Sequence, residues 1–340
     1  MGIIFLGTDL QQPYNELAAK NVALLSKSLK NTKILSIQNE KNKGPNVINI
    51  PKILPINLLR KPIQAILLPI YLTFLRPKNK IIHTFWVADS KYHIWLFKYM
   101  KLLNYKIIST VIGSYNKKYS AFKNSDIIIA SSEDSRKEIQ KKINKKVDLI
   151  YPLNQVQSNK KTKKNIAVFA AMPYKKEFLK DRGVYEMLNQ YKKVQDKLKL
   201  ILLFRGGQTY KIIKDYCNIN NINAKLINKN LTQKEMISLF EKSKIIIGLY
   251  TKGNIPKMPQ SIIEGISCGC AAITTENTDL AELIKKEKAG IIIKHASEFS
   301  SAIKKILAKN TYNKNAFKLR DKYFNSNNNL KDYLKIYKQK

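Results

Sequence analysis

Apolar and polar positions alternate along this chain with two different periods, which together predict a repeating order of strands and helices. Short apolar runs at residues 3–6, 106–111 and 199–204 are typical of strands buried on both faces. Segments with an apolar residue at every third or fourth position follow, for example at residues 184–194. This order predicts an α/β protein with mainly parallel, doubly wound sheets, whose ligands bind at the carboxyl ends of the strands.

The same patterns extend through both halves of the chain. Further strands are predicted at residues 126–130, 147–151, 166–170, 225–227, 244–249 and 271–274. Further helices are predicted at residues 210–219, 234–242, 260–268 and 280–286, and one more begins after Ser131-Ser132-Glu133-Asp134 and ends at Ile143.

A polar segment interrupts the alternation in the middle of the chain. Residues 152–165 read PLNQVQSNKKTKKN, are rich in lysine and have no apolar period, which is typical of a linker. A chain of 340 residues is long enough for two domains. We therefore expect one domain on each side of this segment.

The chain is strongly basic, with a formal net charge of +38 at pH 7. Lysine supplies 56 of the 62 basic residues, which is typical of coding bias in an AT-rich genome, but Asp and Glu total only 24. The remaining excess predicts attraction to polyanions or to an anionic membrane surface. The scarce arginines Arg182 and Arg205 stand beside glycine in predicted loops, where a planar guanidinium suits phosphate oxygens.

Residues 53–80 allow two interpretations. The segment has an apolar core broken by Pro69 and is flanked by Arg60, Lys61, Arg76 and Lys78. It is either a buried helix with a proline kink or an interfacial segment that rests on anionic lipid.

The sequence shows no signal peptide and no apolar run long enough to span a bilayer. The three cysteines are too few for a disulfide framework and fit a reducing compartment, and Cys268 and Cys270 are interpreted as core residues. We expect a cytoplasmic protein that is soluble or peripheral on the inner face of the cell membrane.

The most informative stretch runs from Lys257 to Lys294 and reads KMPQSIIEGISCGCAAITTENTDLAELIKKEKAGIIIK. Pro259 suits the first turn of a helix, and Glu264 lies about one turn further on. A helix N-terminus attracts a pyrophosphate, and a nearby carboxylate accepts hydrogen bonds from ribose hydroxyls. The stretch therefore predicts a site for a nucleoside diphosphate.

This stretch resembles the donor-domain motif P-x-S-[IL]-[IL]-E-A-M-A-x-G-x-P-[VI]-[IV] of the family 4 retaining glycosyltransferases, which have the GT-B fold. The matching residues are Pro259, Ser261, Ile262, Ile263, Glu264, Gly269, Ala272 and Ile273. Glu282-Leu283-Ile284 and Gly290-Ile291-Ile292-Ile293 are similar to the family's next helix and strand. The resemblance covers residues 166–310 well and the N-terminal half in outline.

The resemblance implies two Rossmann-like domains that face each other across a cleft. The expected domains are an N-terminal acceptor-side domain over residues 1–155 and a C-terminal donor-binding domain over residues 156–324. A last helix at about 325–340 is expected to return to the first domain, where Tyr333 and Tyr337 find an apolar partner.

The resemblance also implies which residues meet the donor. Besides Pro259, Ser261 and Glu264, they are Arg182, which with Gly183 looks like the family's K-G pair, and Arg205, Gly206 and Gly207, at the position of a glycine loop. Gly7, Thr8 and Gly113 are expected on the acceptor or sugar side.

Three positions depart from the family pattern. Pro256 replaces the first Glu of the family's E-x7-E motif, Ile112 replaces a His, and the phosphate-binding Arg falls near Ala171. Lys175, Lys176 or Arg182 can take over from that Arg. The departure at Pro256 leaves the identity of the donor sugar open.

His83, Lys257 and Glu264 are the candidate catalytic residues, and each has a structural alternative. His83 ends a predicted strand and is otherwise a core histidine; Lys257 is otherwise a solvated loop lysine; Glu264 is otherwise a partner of the helix dipole. Arg205 is otherwise a surface charge.

No D-x-D pair occurs in the chain, so no metal ion is implied. The resemblance further implies retention at the anomeric carbon, with the departing phosphate oxygen taking the proton of the acceptor. The nucleotide-sugar is the co-substrate and no other cofactor is expected. The expected acceptor is a glycan or glycolipid, most simply a lipid-linked one at an anionic membrane surface.

Two rival readings stay open at this point. A sugar-nucleotide epimerase or a phosphorylase would share the fold, since one scaffold hosts several chemistries. A basic nucleic-acid-binding protein would explain the net charge, but lysine dominates over arginine and no nucleic-acid-binding motif is present.

Overall fold

Two units of parallel βα architecture make up the chain. The computed structural model describes residues 2–6, 17–36, 47–49, 60–75, 79–86, 91–112, 119–156, 158, 163–170, 172–173, 175–204, 208–251 and 255–339. Unit 1 consists of Met1–Leu153 with Ser326–Lys340, and unit 2 of Asn154–Asn325.

The strands are β1 Gly2–Leu6, β2 Thr32–Ser36, β3 Val47–Asn49, β4 Asn79–Trp86, β5 Lys106–Val111, β6 Ile127–Ala130, β7 Asp148–Leu149, β8 Lys164–Phe169, β9 Lys199–Phe204, β10 Ala224–Asn228, β11 Ser243–Gly248, β12 Ala271–Thr275 and β13 Gly290–Ile293. The helices are α1 Leu17–Ser28, α2 Arg60–Leu75, α3 Lys91–Leu102, α4 Glu133–Ile143, α5 Glu177–Asp181, α6 Val184–Lys192, α7 Thr209–Ile219, α8 Gln233–Lys242, α9 Gln260–Ser267, α10 Asp279–Lys286, α11 Phe299–Ala308, α12 Thr311–Tyr323 and α13 Ser326–Lys338.

Unit 1 is built on a parallel sheet in the order β3-β2-β1-β4-β5-β6-β7. Successive side chains of β1 enter opposite cores, because strand side chains alternate between faces. Ile4 and Leu6 pack with apolar residues of α2, α3 and α4, whereas Ile3 and Phe5 pack with those of α1 and α13. The sheet is therefore buried on both faces, as its β-branched runs predict.

Unit 2 has a parallel sheet in the order β10-β9-β8-β11-β12-β13. Its first strand, β8, has the second strand on one side and the fourth on the other. The strand order thus reverses between β8 and β11, which opens a crevice at their carboxyl ends. The prediction of two doubly wound parallel sheets is confirmed.

Local sequence signals explain where several helices begin and end. The Ser132 hydroxyl accepts a hydrogen bond from the Ser135 amide at 3.2 Å and caps α4, and Asn144, with φ of 53°, ends it. Thr232 and Glu235 form a capping box at α8. Such side chains satisfy backbone groups that the first and last turns leave without partners.

The segment between the units differs from the free linker that its composition predicts. Leu153, Asn154 and Val156 are buried. The ammonium of Lys163 donates to the Phe240, Glu241 and Cys268 carbonyls, so it caps the C-terminal ends of α8 and α9. The described residues named here are thus packed against the protein, although a lysine-rich sequence without an apolar period is typical of a solvated linker.

Two other segments refine the sequence-based picture. Pro69 lies inside α2, and α13 lies where a last helix was expected at about 325–340, preceded by a further helix, α12. Cys217, Cys268 and Cys270 are buried thiols, as interpreted. Within the described ranges, no helix combines the length and apolar character needed to cross a membrane.

Candidate functional site

The crevice of unit 2 is formed by the segments that follow β8 and β11. The chain leaves β8 towards α5 and α6, and leaves β11 towards α9. Because β8 and β11 are paired in parallel, both segments leave at the same edge of the sheet.

Helix α9 starts at this edge, and its N-cap residue supplies no side-chain hydrogen bond to the first turn. Pro259 is the N-cap residue, with ψ of 114°, and its carbonyl accepts from the amides of Ile262 and Ile263, both at 3.1 Å. Pro259 thus precedes the helix, whereas the sequence predicted that it would lie in the first turn. No acidic residue stands in the first turn, which includes Ser261, so the positive end of the helix dipole is available to an anion.

Glu264 lies one turn into α9 and is buried. Gln260 Nε2 approaches Glu264 Oε1 at 3.5 Å, the outer limit of a hydrogen bond. Gln260 Oε1 is buried and has no hydrogen-bond partner among the described residues. A buried amide oxygen without a partner is costly, and a ligand hydroxyl or amine would satisfy it.

Two glycines allow α9 to lie close to β11. A Cβ atom added to Gly265 would stand 2.7 Å from Ile246 Cβ, and one added to Gly248 would stand 2.3 Å from Ile262 Cδ1. Both distances are shorter than carbon atoms tolerate. The small residues of this stretch therefore set the position of the helix and of Glu264.

Arg182 reaches the same edge from the segment after β8. Its guanidinium carbon lies 5.1 Å from the centre of the Tyr250 ring, which follows β11. Gly183 next to it has φ of 60°, a left-handed conformation that favours glycine, and starts α6. The arginine therefore lies beside an aromatic face that follows β11.

Polar side chains at the end of β12 and just after it fix the segment that carries Tyr250. The Thr275 hydroxyl donates to the Tyr250 carbonyl at 2.9 Å and accepts from the Tyr250 amide at 3.0 Å. Asn277 Nδ2 donates to the same carbonyl at 3.0 Å. These bonds join the carboxyl ends of β11 and β12 and orient the ring under Arg182.

Lys257 has a different environment from both interpretations of the sequence. Its ammonium bonds Asp279 Oδ1 at 2.9 Å, and its carbonyl accepts from the Leu280 amide at 3.2 Å. Lys257 therefore fastens the segment before α9 to the start of α10, which favours a positioning role over direct catalysis. The Thr278 hydroxyl beside it is buried and has no partner among the described residues.

His83 lies in the core of unit 1. It is fully buried, with Nδ1 bonded to the Tyr337 hydroxyl at 2.6 Å and Nε2 to the Thr110 hydroxyl at 2.8 Å. Burial lowers the pKa of His83 to about 3, so the ring is neutral at physiological pH. These contacts do not support the catalytic role and favour the alternative of a core histidine.

Six of the expected site residues lie outside the described residues: Gly7, Thr8, Gly113, Arg205, Gly206 and Gly207. Arg182, Pro259, Ser261 and Glu264 lie in the segments that follow β8 and β11, which leave the sheet of unit 2 at the same edge. Sequence reasoning missed Tyr250, Gln260 and Thr278 there. Tyr250 had a usable signal, since it directly follows a buried strand, whereas the unpartnered oxygens of Gln260 and Thr278 are visible only in three dimensions.

Comparison with known proteins assigns this arrangement to a class. Residues 151–323 match the model of the glycosyl transferases group 1 family, which is half of the chain and covers the candidate site. The chain belongs to the group 1 glycosyltransferases. No curated protein sequence matches it significantly.

Solved glycosyltransferase structures share the fold along the full chain. HepE of Anabaena in complex with UDP-glucose is similar with a TM-score of 0.72 and 11% identity, over 99% of both chains. Sucrose-phosphate synthase of Thermosynechococcus elongatus gives a TM-score of 0.76 at 13% identity, over 100% of this chain and 99% of that one. A glycosyltransferase of Rickettsia africae gives 0.67 at 15% identity, over 99% and 97%. At these identities the likeness concerns the fold, which is GT-B-like.

Proposed function

We propose that unit 2 binds a nucleoside-diphosphate sugar at the carboxyl ends of β8 and β11, and that the enzyme transfers this sugar with retention and without a metal ion. The observation that carries the proposal is the convergence of Arg182, the uncapped start of α9 and the buried Glu264 at the point where the strand order reverses. HepE was solved with UDP and with UDP-glucose, which makes UDP-sugars the first donors to test.

Each group has a role in this proposal. The start of α9 and the guanidinium of Arg182 neutralise the diphosphate, whose negative charge grows as the sugar departs. The carboxylate of Glu264 accepts hydrogen bonds from the ribose, and Gln260 Oε1 offers one more acceptor beside it. The ion pair of Lys257 with Asp279 and the hydrogen bonds between Thr275 and Tyr250 hold these groups in place. The protein thus contributes positioning and charge stabilisation.

The acceptor in this proposal is a glycan or glycolipid that is lipid-linked and presented at an anionic membrane surface on the cytoplasmic side. The net charge of +38 supports this choice, because lysines close to an anionic leaflet each contribute about 1 kcal/mol. Retention requires no separate general base, since the departing phosphate oxygen receives the proton of the acceptor hydroxyl.

A transfer assay in EDTA tests the proposal. UDP-, GDP- and ADP-sugars are first screened for thermal stabilisation of the protein, and the best donor is then offered lipid-linked and soluble acceptors. We expect transfer in the presence of EDTA and a product whose anomeric configuration, read by NMR, equals that of the donor. An inverted linkage would refute retention, and abolition by EDTA would refute the metal-independent mechanism.

A further inference from the structure

Exposed apolar side chains concentrate on one face of unit 1. Five large apolar residues are exposed among the described residues, and four of them lie on α2 and α3: Ile70, Phe74, Trp95 and Leu102. Phe74 and Leu102 are 79% and 78% exposed. The two helices are joined side by side by a 2.8 Å hydrogen bond between the hydroxyls of Thr73 and Tyr99. These side chains therefore belong to one surface.

Aromatic rings and lysines complete this surface. The Trp95 ring stacks between Tyr92, at 6.0 Å, and Tyr99, at 5.6 Å between ring centres. Lys91 and Lys98 are exposed on α3 and share a helix face with Trp95 and Leu102, since the four are spaced by four, three and four residues. We name Ile70, Phe74, Lys91, Trp95, Lys98 and Leu102 the outer face.

The charge around the outer face is one-sided. From residue 41 to residue 125 the sequence has 15 basic residues and a single acidic one, Asp89. Over the whole chain the ratio is 62 to 24, so acidic residues are scarcer in this part of the sequence than in the chain as a whole. An apolar, aromatic surface that carries exposed lysines fits the boundary between anionic head groups and acyl chains.

We propose that the outer face docks unit 1 onto an anionic lipid bilayer, with Phe74, Trp95 and Leu102 entering the head-group boundary and Lys91 and Lys98 contacting lipid phosphates. The inference rests on the proposed function in one respect, because a lipid-linked acceptor gives the docking its purpose. It also refines the interfacial interpretation of residues 53–80, because one face of this segment is buried. Leu68 and Leu72 are buried in the core of unit 1, and α3 supplies the rest of the surface.

Charge decides between a bilayer and a second copy of this chain. A symmetric dimer would bring the outer face against the same face of its partner, and the lysines would repel one another. A bilayer that contains anionic lipid offers the opposite charge together with an apolar layer for the exposed rings.

Cosedimentation with vesicles tests the proposal without donor or acceptor. The full chain is mixed at low salt with vesicles of phosphatidylcholine alone and with vesicles of phosphatidylcholine and phosphatidylglycerol at a ratio of about 3:1. We expect binding only to the anionic vesicles, a steep fall with added salt, and at least about a fivefold loss of bound protein for Phe74→Ser combined with Trp95→Ser. Ile219→Ser is the matched control, since Ile219 is 80% exposed on α7 of unit 2, and it should bind like the wild type.

Fluorescence gives a second readout. Brominated lipid in the anionic vesicles should quench tryptophan emission in the wild type, and Trp95→Phe should lose the quenched component. Wild-type binding by the double variant, or a concentration-dependent dimer that this variant dissociates, would overturn the proposal. Nucleotide binding by unit 2, measured without vesicles, keeps this outcome separate from a failure of the proposed function.

Discussion

At the scale of single residues, His83 gives unit 1 a dependence of stability on pH. The folded protein holds the ring neutral with a pKa of about 3, whereas the unfolded chain protonates it below about 6.5. The unfolded state therefore binds more protons in that window, and the stability that is present above pH 6.5 is lost as the pH falls towards 3. Between pH 7 and pH 5 this group should lower the free energy of unfolding by about 2 kcal/mol.

Denaturant unfolding of two variants at both pH values checks this prediction. His83→Gln removes the titrating group and should show a pH dependence that is smaller by about 2 kcal/mol. Tyr337→Phe removes one hydrogen bond but leaves the ring buried, so it should be less stable while keeping the wild-type dependence on pH. Equal dependence on pH in His83→Gln and the wild type would contradict the account.

The residues of the candidate site could be predicted only in part from the sequence. Glu264 and Arg182 stood out because a carboxylate near a helix start and an arginine beside a glycine suit a diphosphate, and the structure brings both to the edge of unit 2 where β8 and β11 end. The hydrogen-bond partners of Lys257 and His83 could not be predicted from the sequence. Asp279 and Tyr337 lie 22 and 254 positions away, and only the packing of elements brings them into contact.

At the scale of elements, the contact between α9 and β11 decides where the candidate site lies. Gly265→Ala would place a methyl group 2.7 Å from Ile246 Cβ, an atom fixed to the backbone. The gain in helix propensity is about 1 kcal/mol, whereas overpacking costs about 1–3 kcal/mol and forces the helix away from the sheet. We expect a net loss of stability and weaker nucleotide binding.

Urea unfolding and nucleotide titration of Gly265→Ala measure both effects. Asn218→Ala serves as the control, because Asn218 is exposed on α7 and alanine there only improves helix propensity. A Gly265→Ala protein with wild-type stability and wild-type nucleotide affinity would show that close packing of α9 is unimportant.

The positions of most elements could be predicted from apolar periodicity, but the face of each element that is buried could not. Strands β5 and β9 match the predicted bounds, and most other predicted elements differ by one or two residues at an end. The alternatives for residues 53–80 could not be separated by sequence, because α2 is apolar around most of its surface. The structure shows that Leu68 and Leu72 face the sheet while Ile70 and Phe74 face outwards, beside a helix, α3, that the pattern did not reveal.

At the scale of the whole molecule, the chain separates into a unit that carries the outer face and a unit with a candidate diphosphate site. α13 returns to unit 1 and buries Tyr333 and Tyr337 against the sheet, so the first unit is completed by the end of the chain. The match of residues 151–323 shows the family of the protein. The donor, the acceptor and the stereochemistry of transfer belong to the proposed function.

Calorimetric titration of nucleoside mono- and diphosphates in EDTA tests the central claim most directly. For the base that the donor screen selects, the wild type should bind the diphosphate, and Glu264→Ala should weaken it by about 1–3 kcal/mol, or about 5- to 150-fold. Arg182→Ala should weaken binding of the diphosphate more than binding of the monophosphate. The controls are Glu186→Ala, at an exposed position of α6, and Arg136→Ala, on α4 of unit 1; both should bind like the wild type. Folded Glu264→Ala and Arg182→Ala proteins with unchanged affinity for the diphosphate would contradict the donor site.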